Sequence, residues 1–341
     1  MPTVFTTQRS ILRNLVLGGV VQTDAAQVLA DTALTYRARP DTSGFFNMEP
    51  EVESDYEYAG KGTSFATESR EIARSRSGDA KMRCDDYVIG WLLAMVMGND
   101  TITAPVAPET RTTHAFTWRD DGAPAQVTNI YVEDAPGLKY KLLDTSCTKV
   151  VLSGTDKGSV MAQASFISTG KYQDGAMVTL PDLPTAKYLA GSDSIFKLGV
   201  TGAPASMAPR VLSWELTLDH ANDAFRACGG GLYPYFIRLG NPVMGLKVVI
   251  AVDTTSDIRD WQVARTELEA QLSIVSGTVS LNVDIPRLVI RKADLGETNK
   301  YVTYTLDLEK DDILKPTDGQ ICTATLLNTV ATSYLTAYAG V

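Results

Sequence analysis

The stretch YVTYTLDLE, residues 301–309, decides the fold class: Val302, Tyr304, Leu306 and Leu308 alternate with Thr303, Thr305, Asp307 and Glu309. Side chains that change face at every residue belong to an extended strand, so this run predicts a sheet with one dry face and one wet face. The pattern recurs along the chain. Trp214, Leu216 and Leu218 alternate with Glu215, Thr217 and Asp219, while Val160, Ala162, Ala164 and Phe166 line one side of another run. Further strand candidates fall at residues 64–76, 114–119, 126–132, 138–143, 148–153 and 159–168, and again at 211–219, 232–238, 245–252, 272–275, 278–283 and 287–291.

Two stretches break the alternation and take the helical period. Asp85 or Asp86 caps a run whose Val88, Trp91, Leu92, Met95 and Val96 share one face, and Gly98 stops it. Ser256 caps a second run with Ile258, Trp261, Ala264 and Leu268 on its buried stripe. In both halves the order is strands, one helix, then more strands, which predicts a duplicated unit although residue identity between the halves is not apparent. Pro181, Pro184, Pro204 and Pro209, with several glycines, mark residues 171–209 as the linker. The expected organisation is an amino-terminal arm (1–30), a first β domain (31–170), the linker (171–209) and a second β domain (210–341). The fold class expected is mainly β, with two tandem β-sandwich or barrel modules, each carrying one short α-helix.

Composition narrows the function. The 341 residues include 31 Lys+Arg and 40 Asp+Glu, a net charge of -9, opposite in sign to a surface built to grip phosphates. A 44% hydrophobic and 21% charged content is that of a folded protein. The longest apolar run, residues 87–97, is far short of the ~20 residues that span a bilayer, so membrane insertion is not expected. Residues 1–13 do not read as a secretion signal, and synthesis in a cytoplasm is expected.

Cys84, Cys147, Cys228 and Cys322 are far apart and lack a C-x-x-C pair, so buried free thiols are expected in place of a zinc site or a disulfide framework. His114 and His220 are the only histidines, and both fall in strand-like patterns that favour structural roles. Gly229, Gly230 and Gly231 lack the spacing of a phosphate loop and read as a turn. No catalytic, cofactor-binding or metal-binding residue is predicted, and the chain is not expected to be an enzyme.

Two charged segments remain. Glu49, Glu51, Glu53, Asp55 and Glu57 alternate with other residues and would share a face if extended, where a solvated or interface role outweighs a catalytic one. Glu68, Arg70, Glu71, Arg74 and Arg76 lie in a run whose large apolar residues are only Phe65 and Ile72. Such a strand cannot occupy the centre of a core without stranding charge. It reads as a projecting hairpin whose mixed signs pair with an adjacent subunit, and these five residues are the candidate inter-subunit site.

Several segments together resemble the major tail tube proteins of long, non-contractile-tailed bacteriophages. They are SREIARSRSGDA at 69–80 followed by DDYVIGWLLAMV, then HAFTWRDDGAPAQVTNIYVE at 114–133 and GSVMAQASFISTG, and in the second half VLSWELTLDHAND and NPVMGLKVVIAVD at 241–253. The resemblance implies a structural virion protein without a cofactor, made in the host cytoplasm and placed in the virion tail. Copies of such a protein close into rings that stack into a hollow tube, through which genomic DNA passes with only transient, non-specific contact. Two tube modules per chain would make homotrimeric rings of pseudo-sixfold symmetry, with hexameric rings the alternative. Other tail proteins (terminator, tape measure, distal tail) are the further partners implied, and an acidic lumen would ease DNA transport. The reading from a different class is a β-sandwich carbohydrate-binding or adhesin module of a virion, with Tyr56, Tyr58, Tyr233 and Tyr235 as its aromatic platform.

Overall fold

The computed structural model describes residues 14–339 apart from 39, 44–46, 56–67, 120–121, 123, 136–137, 184–187, 230, 254–256, 278, 299 and 318. The chain begins with β1 (Asn14–Gly18), β2 (Leu34–Ala38), β3 (Pro40–Ser43), β4 (Asn47–Asp55) and the long β5 (Glu68–Arg83). Helix α1 (Asp86–Met97) leads directly into β6 (Gly98–Thr103), which is followed by β7 (Thr112–Trp118), β8 (Thr128–Ala135), β9 (Leu138–Thr155), β10 (Met161–Ser168) and β11 (Tyr172–Asp174). After these come β12 (Ser194–Val200), β13 (Ala205–Ser206), β14 (Val211–Asp219), β15 (Asp223–Phe225), β16 (Phe236–Arg238) and β17 (Val243–Ala251). Helix α2 (Asp257–Ala264) precedes β18 (Glu267–Ser276), β19 (Val279–Val289), β20 (Ala293–Thr298), β21 (Tyr301–Leu308) and β22 (Thr323–Asn328). The protein is mainly β, with antiparallel sheets and two short helices.

Two large sheets enclose the core. In the larger, β3 and β4 lie along one side of β5, and the order then runs β10, β9, β14, β17, β21 and β20. The far part of β9 also carries β8, β1 and β2. The smaller sheet has the order β13, β12, β18, β19, β22, β7 and β6. Each sheet therefore joins the two halves of the chain, at the β9–β14 pairing in one and the β22–β7 pairing in the other. A large apolar cluster with members from Leu15 to Tyr334 lies between them, and a smaller one gathers Val16, Leu29, Leu34, Tyr131 and Met177.

One order of strands occurs twice in the larger sheet. The chain β3/β4, β5, β9, β10 is arranged first, second, fourth, third, and β14, β17, β20, β21 is arranged identically, with a helix after the second strand each time. The registers agree as well. Pro40 faces Met82, Thr42 faces Lys81 and Ser43 faces Ala80, while Val211 faces Ile250, Ser213 faces Val249 and Trp214 faces Val248. Both first strands thus carry a one-residue bulge at the same place, a feature that bends a strand in a defined way. The rows continue in parallel: Ala80 faces Ala164, which faces Val150, and Val248 faces Leu306, which faces Ala293.

Helix α1 stands between the two sheets, on β9 and β14 of one and on β6, β7 and β22 of the other. Asp85 caps it, its Oδ1 accepting from the amides of Tyr87 (3.1 Å) and Val88 (2.9 Å), while the Tyr36 hydroxyl donates to Oδ2. Gly98 ends it at φ 86°, where the Cβ of any other residue would also lie 2.9 Å from Arg119 Cβ. Every residue from Val88 to Met97 is buried. The single apolar face expected from its period is therefore an underestimate, because sheets cover the helix on opposite sides.

Other expectations need correction. The second helix buries Ile258 only, leaves Ala264 exposed, and ends before Leu268, which lies on β18. Its expected cap, Ser256, lies outside the described residues. Within the segment read as an arm, Asn14–Gly18 is a buried strand, and within the segment read as a linker, Ser194–Val200 pairs with β18. The runs at 138–143 and 148–153 form one strand, because Asp144 turns the chain at φ 49° and its carboxylate accepts from Ala26 N (2.6 Å), Gln22 Nε2 (2.9 Å) and Thr169 Oγ1 (2.8 Å). The runs at 278–283 and 287–291 likewise merge, with Pro286 at a bulge where no ladder bond is required. The run at 232–238 keeps only three strand residues, paired in a small hairpin. Of the thiols, Cys84, Cys147 and Cys322 are buried, but Cys228 is exposed.

His114 on β7 clamps the carboxy-terminal segment to the core. Its Nδ1 lies 3.1 Å from Asp100 Oδ1 and its Nε2 lies 3.0 Å from the Val330 carbonyl, while Asp100 Oδ2 accepts from Ser333 Oγ (2.9 Å) and Tyr334 N (2.8 Å). Both side chains are fully buried. Burial pulls the His114 pKa down, but the bonds to Asp100 and Val330 outweigh it and the net shift is upward. A raised histidine pKa gives stability that is complete below about pH 6.5 and is lost as pH rises through the folded-state value. Thermal unfolding followed between about pH 6 and 8.5 should show this slope, and His114→Gln should remove most of it. His114→Ala, which leaves Asp100 buried without its charged partner, should cost about 3 kcal/mol in chemical denaturation.

Candidate assembly interface

The five candidate residues all lie on β5, whose outer half pairs with β4 in a two-stranded ribbon. The pairing runs from Asn47 opposite Ser77 to Asp55 opposite Glu68, and β10 accompanies β5 only from Arg76 onward. Among the described residues the outer part of β5 therefore pairs with β4 alone, away from β10, and residues 56–67 between the two strands lie outside the described residues. On β4 the acids Glu49, Glu51, Glu53 and Asp55 lie on one extended strand, with Glu57 outside the described residues, and the register steps by one on β5 between Glu51 and Val52.

The structure separates the five residues into three environments. Glu71 and Arg74 form a bidentate pair, with Arg74 Nη2 2.7 Å from Glu71 Oε2 and Nε bonded to Oε1. The Arg74 guanidinium holds the Glu71 carboxyl below its ordinary pKa. Arg74 Nη1 also reaches the Tyr233 hydroxyl at 3.3 Å, its amide donates to the Leu232 carbonyl at 2.7 Å, and Arg226 Nη2 donates to its carbonyl at 2.7 Å. Arg76 is only 7% exposed, so within one chain it is already covered. Its guanidinium carbon lies 4.2 Å from the Tyr172 ring centre and 5.0 Å from that of Tyr140. Glu68 and Arg70 occupy the distal part, opposite Asp55 and Glu53 in register.

The roles of Tyr140, Tyr172 and Arg226 were not apparent in the sequence, since they reach the hairpin base from distant segments. Tyr233, read as part of a glycan platform, instead packs against Arg74, while Tyr235 is 49% exposed. Tyr56 and Tyr58 lie outside the described residues.

Two further features bear on assembly. Among the described residues, β20 pairs only with β21, and β3 and β4 pair only with β5, so the eight-position array from β3/β4 to β20 has an unpaired margin at each end. Such margins present unsatisfied main-chain groups ready for another strand. The outward face between them is laced with opposite charges: Lys247 stands between Glu215 and Asp307, and Asp219 faces Lys149. Cross-strand pairs of this kind stabilise a sheet by roughly 0.2–1 kcal/mol each.

A family model for phage tail tube proteins matches residues 15–309, which is most of the chain, and the chain belongs to that family. It is a structural protein of the bacteriophage virion, located in the tail and built to associate with itself and with other tail proteins. No curated protein matches the chain in sequence.

The buried Arg76 and the half-buried Arg74 should respond differently to truncation. Arg76→Ala removes a desolvated cation from two aromatic faces and should lower stability by about 2 kcal/mol in denaturant unfolding. Arg74→Ala, at a solvated pair, should change it much less.

Proposed function

From membership of the tail tube family we infer that copies of this chain close side by side into rings, that the rings stack, and that genomic DNA passes through the bore. The observation that carries this reading is the twice-repeated strand order with matching bulges, which ends in an unpaired margin on each side. The two occurrences support a division into two tandem modules, of which the first includes β3 to β10 and the second β14 to β21. Neither closes its own sheet.

Geometry favours three copies over six. Strands lie about 4.8 Å apart and tilt about 40° in closed barrels, so three copies of eight strand positions enclose a wall about 48 Å across from backbone to backbone. Six copies would double that and leave a single duplex loosely held.

The outward face of this sheet would line the bore. Its acids and bases alternate, in contrast to the acidic wall expected from the net charge of -9. Opposite charges about 5 Å apart lie within the ~8 Å Debye length of physiological salt, so their pull on a passing phosphate largely cancels. The hairpin of β4 and β5 leaves the sheet edge and is suited to reach a neighbouring ring.

Electron microscopy of purified protein tests the reading directly. Hollow tubes or rings of uniform width with threefold symmetry are expected; a particle that remains monomeric under all assembly conditions would refute it. Reversing Arg70 and Arg74 to Glu should shorten or abolish stacking while unfolding stays cooperative. Unchanged tube length would remove the hairpin from the ring-to-ring contact.

A further inference from the structure

We propose that the free margin of β20 is completed by the β3 and β4 margin of a second copy, in the register that the chain already uses between β9 and β14. This rests on the reading of the chain as a ring-forming subunit and identifies which edges meet. In the repeated order, β9 and β20 are the last positions of their arrays, and β14 and β3/β4 are the first. The internal joint therefore pairs a last strand with a first strand. A neighbouring copy that repeats this joint brings together the two margins left unpaired.

The matched rows fix the register. Leu152 faces Ala162, which faces Met82, and Leu295 faces Tyr304, which faces Ile250, so Leu295 holds the place of Leu152. By the same count Glu297 holds the place of Gly154, and Ser43 holds that of Trp214. Trp214 faces Gly154 within the chain, so Ser43 of one copy would face Glu297 of the next. Lys292 follows Lys149, which faces Asp219 in the internal joint, and the carried register places Lys292 beside Met48 and Glu49. The charge contact is thereby repeated.

Exposure at the two equivalent leucines supports the same conclusion. Leu152 is fully buried, with Leu216 opposite it on β14 and helix α1 lying on both strands. Leu295 is 66% exposed, on the face that Tyr304 and Leu306 turn toward the core, and Val302 beside it is 53% exposed. A strand laid along β20 would cover this apolar edge and pair its main-chain groups together.

Facing residues in an antiparallel pair have Cα atoms about 4.5–5.5 Å apart, within disulfide range. The test combines Ser43→Cys and Glu297→Cys in a Cys228→Ser background, which removes the one exposed native thiol. Mild oxidation of assembled protein should yield dimers and trimers on a non-reducing gel that disappear with reductant, and neither single-cysteine variant should form them. In parallel, Leu295→Lys should reduce assembly at least tenfold with little change in unfolding temperature. Tubes of normal appearance without the double-cysteine product, or normal assembly of Leu295→Lys, would overturn this joint and leave the tube reading intact. A wild-type chain that forms neither rings nor tubes would overturn both.

Discussion

The structure depends on the ladder between β9 and β14. Seven facing residues, from Ser213 opposite Thr155 to Asp219 opposite Lys149, turn two sheet arrays into one. Main-chain groups at either margin would otherwise stay unpaired in a partly apolar setting. The same ladder places Leu216 over Leu152 and Trp214 beside Gly154, where a Cβ would lie 2.7 Å from the indole ring. Glycine at 154 is thus set by the close approach of a tryptophan across the joint, with no turn or positive φ involved.

Helix α1 fills the space that this ladder and the smaller sheet leave between them. A helix covered on opposite sides cannot keep a polar face: Asp85 caps its start and Gly98 its stop, and midway the Trp91 indole N–H finds a backbone acceptor, the Gly18 carbonyl at 2.8 Å. The carboxy-terminal segment closes the far side. Asn328 Nδ2 donates to the Tyr334 hydroxyl at 2.8 Å, and Tyr334 packs so closely on Gly90 that a Cβ there would clash with its ring. With His114 and Asp100 beneath, this segment ties residues 328–334 to helix α1.

Assembly then becomes a question of which groups remain unsatisfied. The hairpin base is already anchored, with Arg76 under two tyrosines and Arg74 held by Glu71 and Tyr233. The margins of β20 and β3/β4 each lack a second strand partner among the described residues. Main-chain groups open to a further strand therefore lie at the sheet's two ends, while a large apolar core is buried within one chain.

Period-2 alternation at 301–309 and 211–219 was enough to establish a mainly β protein, because side chains on a one-sided sheet must alternate whatever their partners. The cap and stop of α1 were legible for a similarly local reason, as Asp85 and Gly98 act on backbone within a turn of themselves. Where the sequence fell short, the cause was non-local. Asn14–Gly18 and Ser194–Val200 are too short or too irregular to show a period, and became strands because β8 and β18 were there to pair with them. Arg76 gave no sign of burial, since the rings of Tyr140 and Tyr172 that cover it are brought to it by strand pairing alone. The order of strands inside the sheet, the repeated bulge and the open margins likewise belong to the tertiary structure: a strand's own residues set which face is dry, but not which other strand lies beside it.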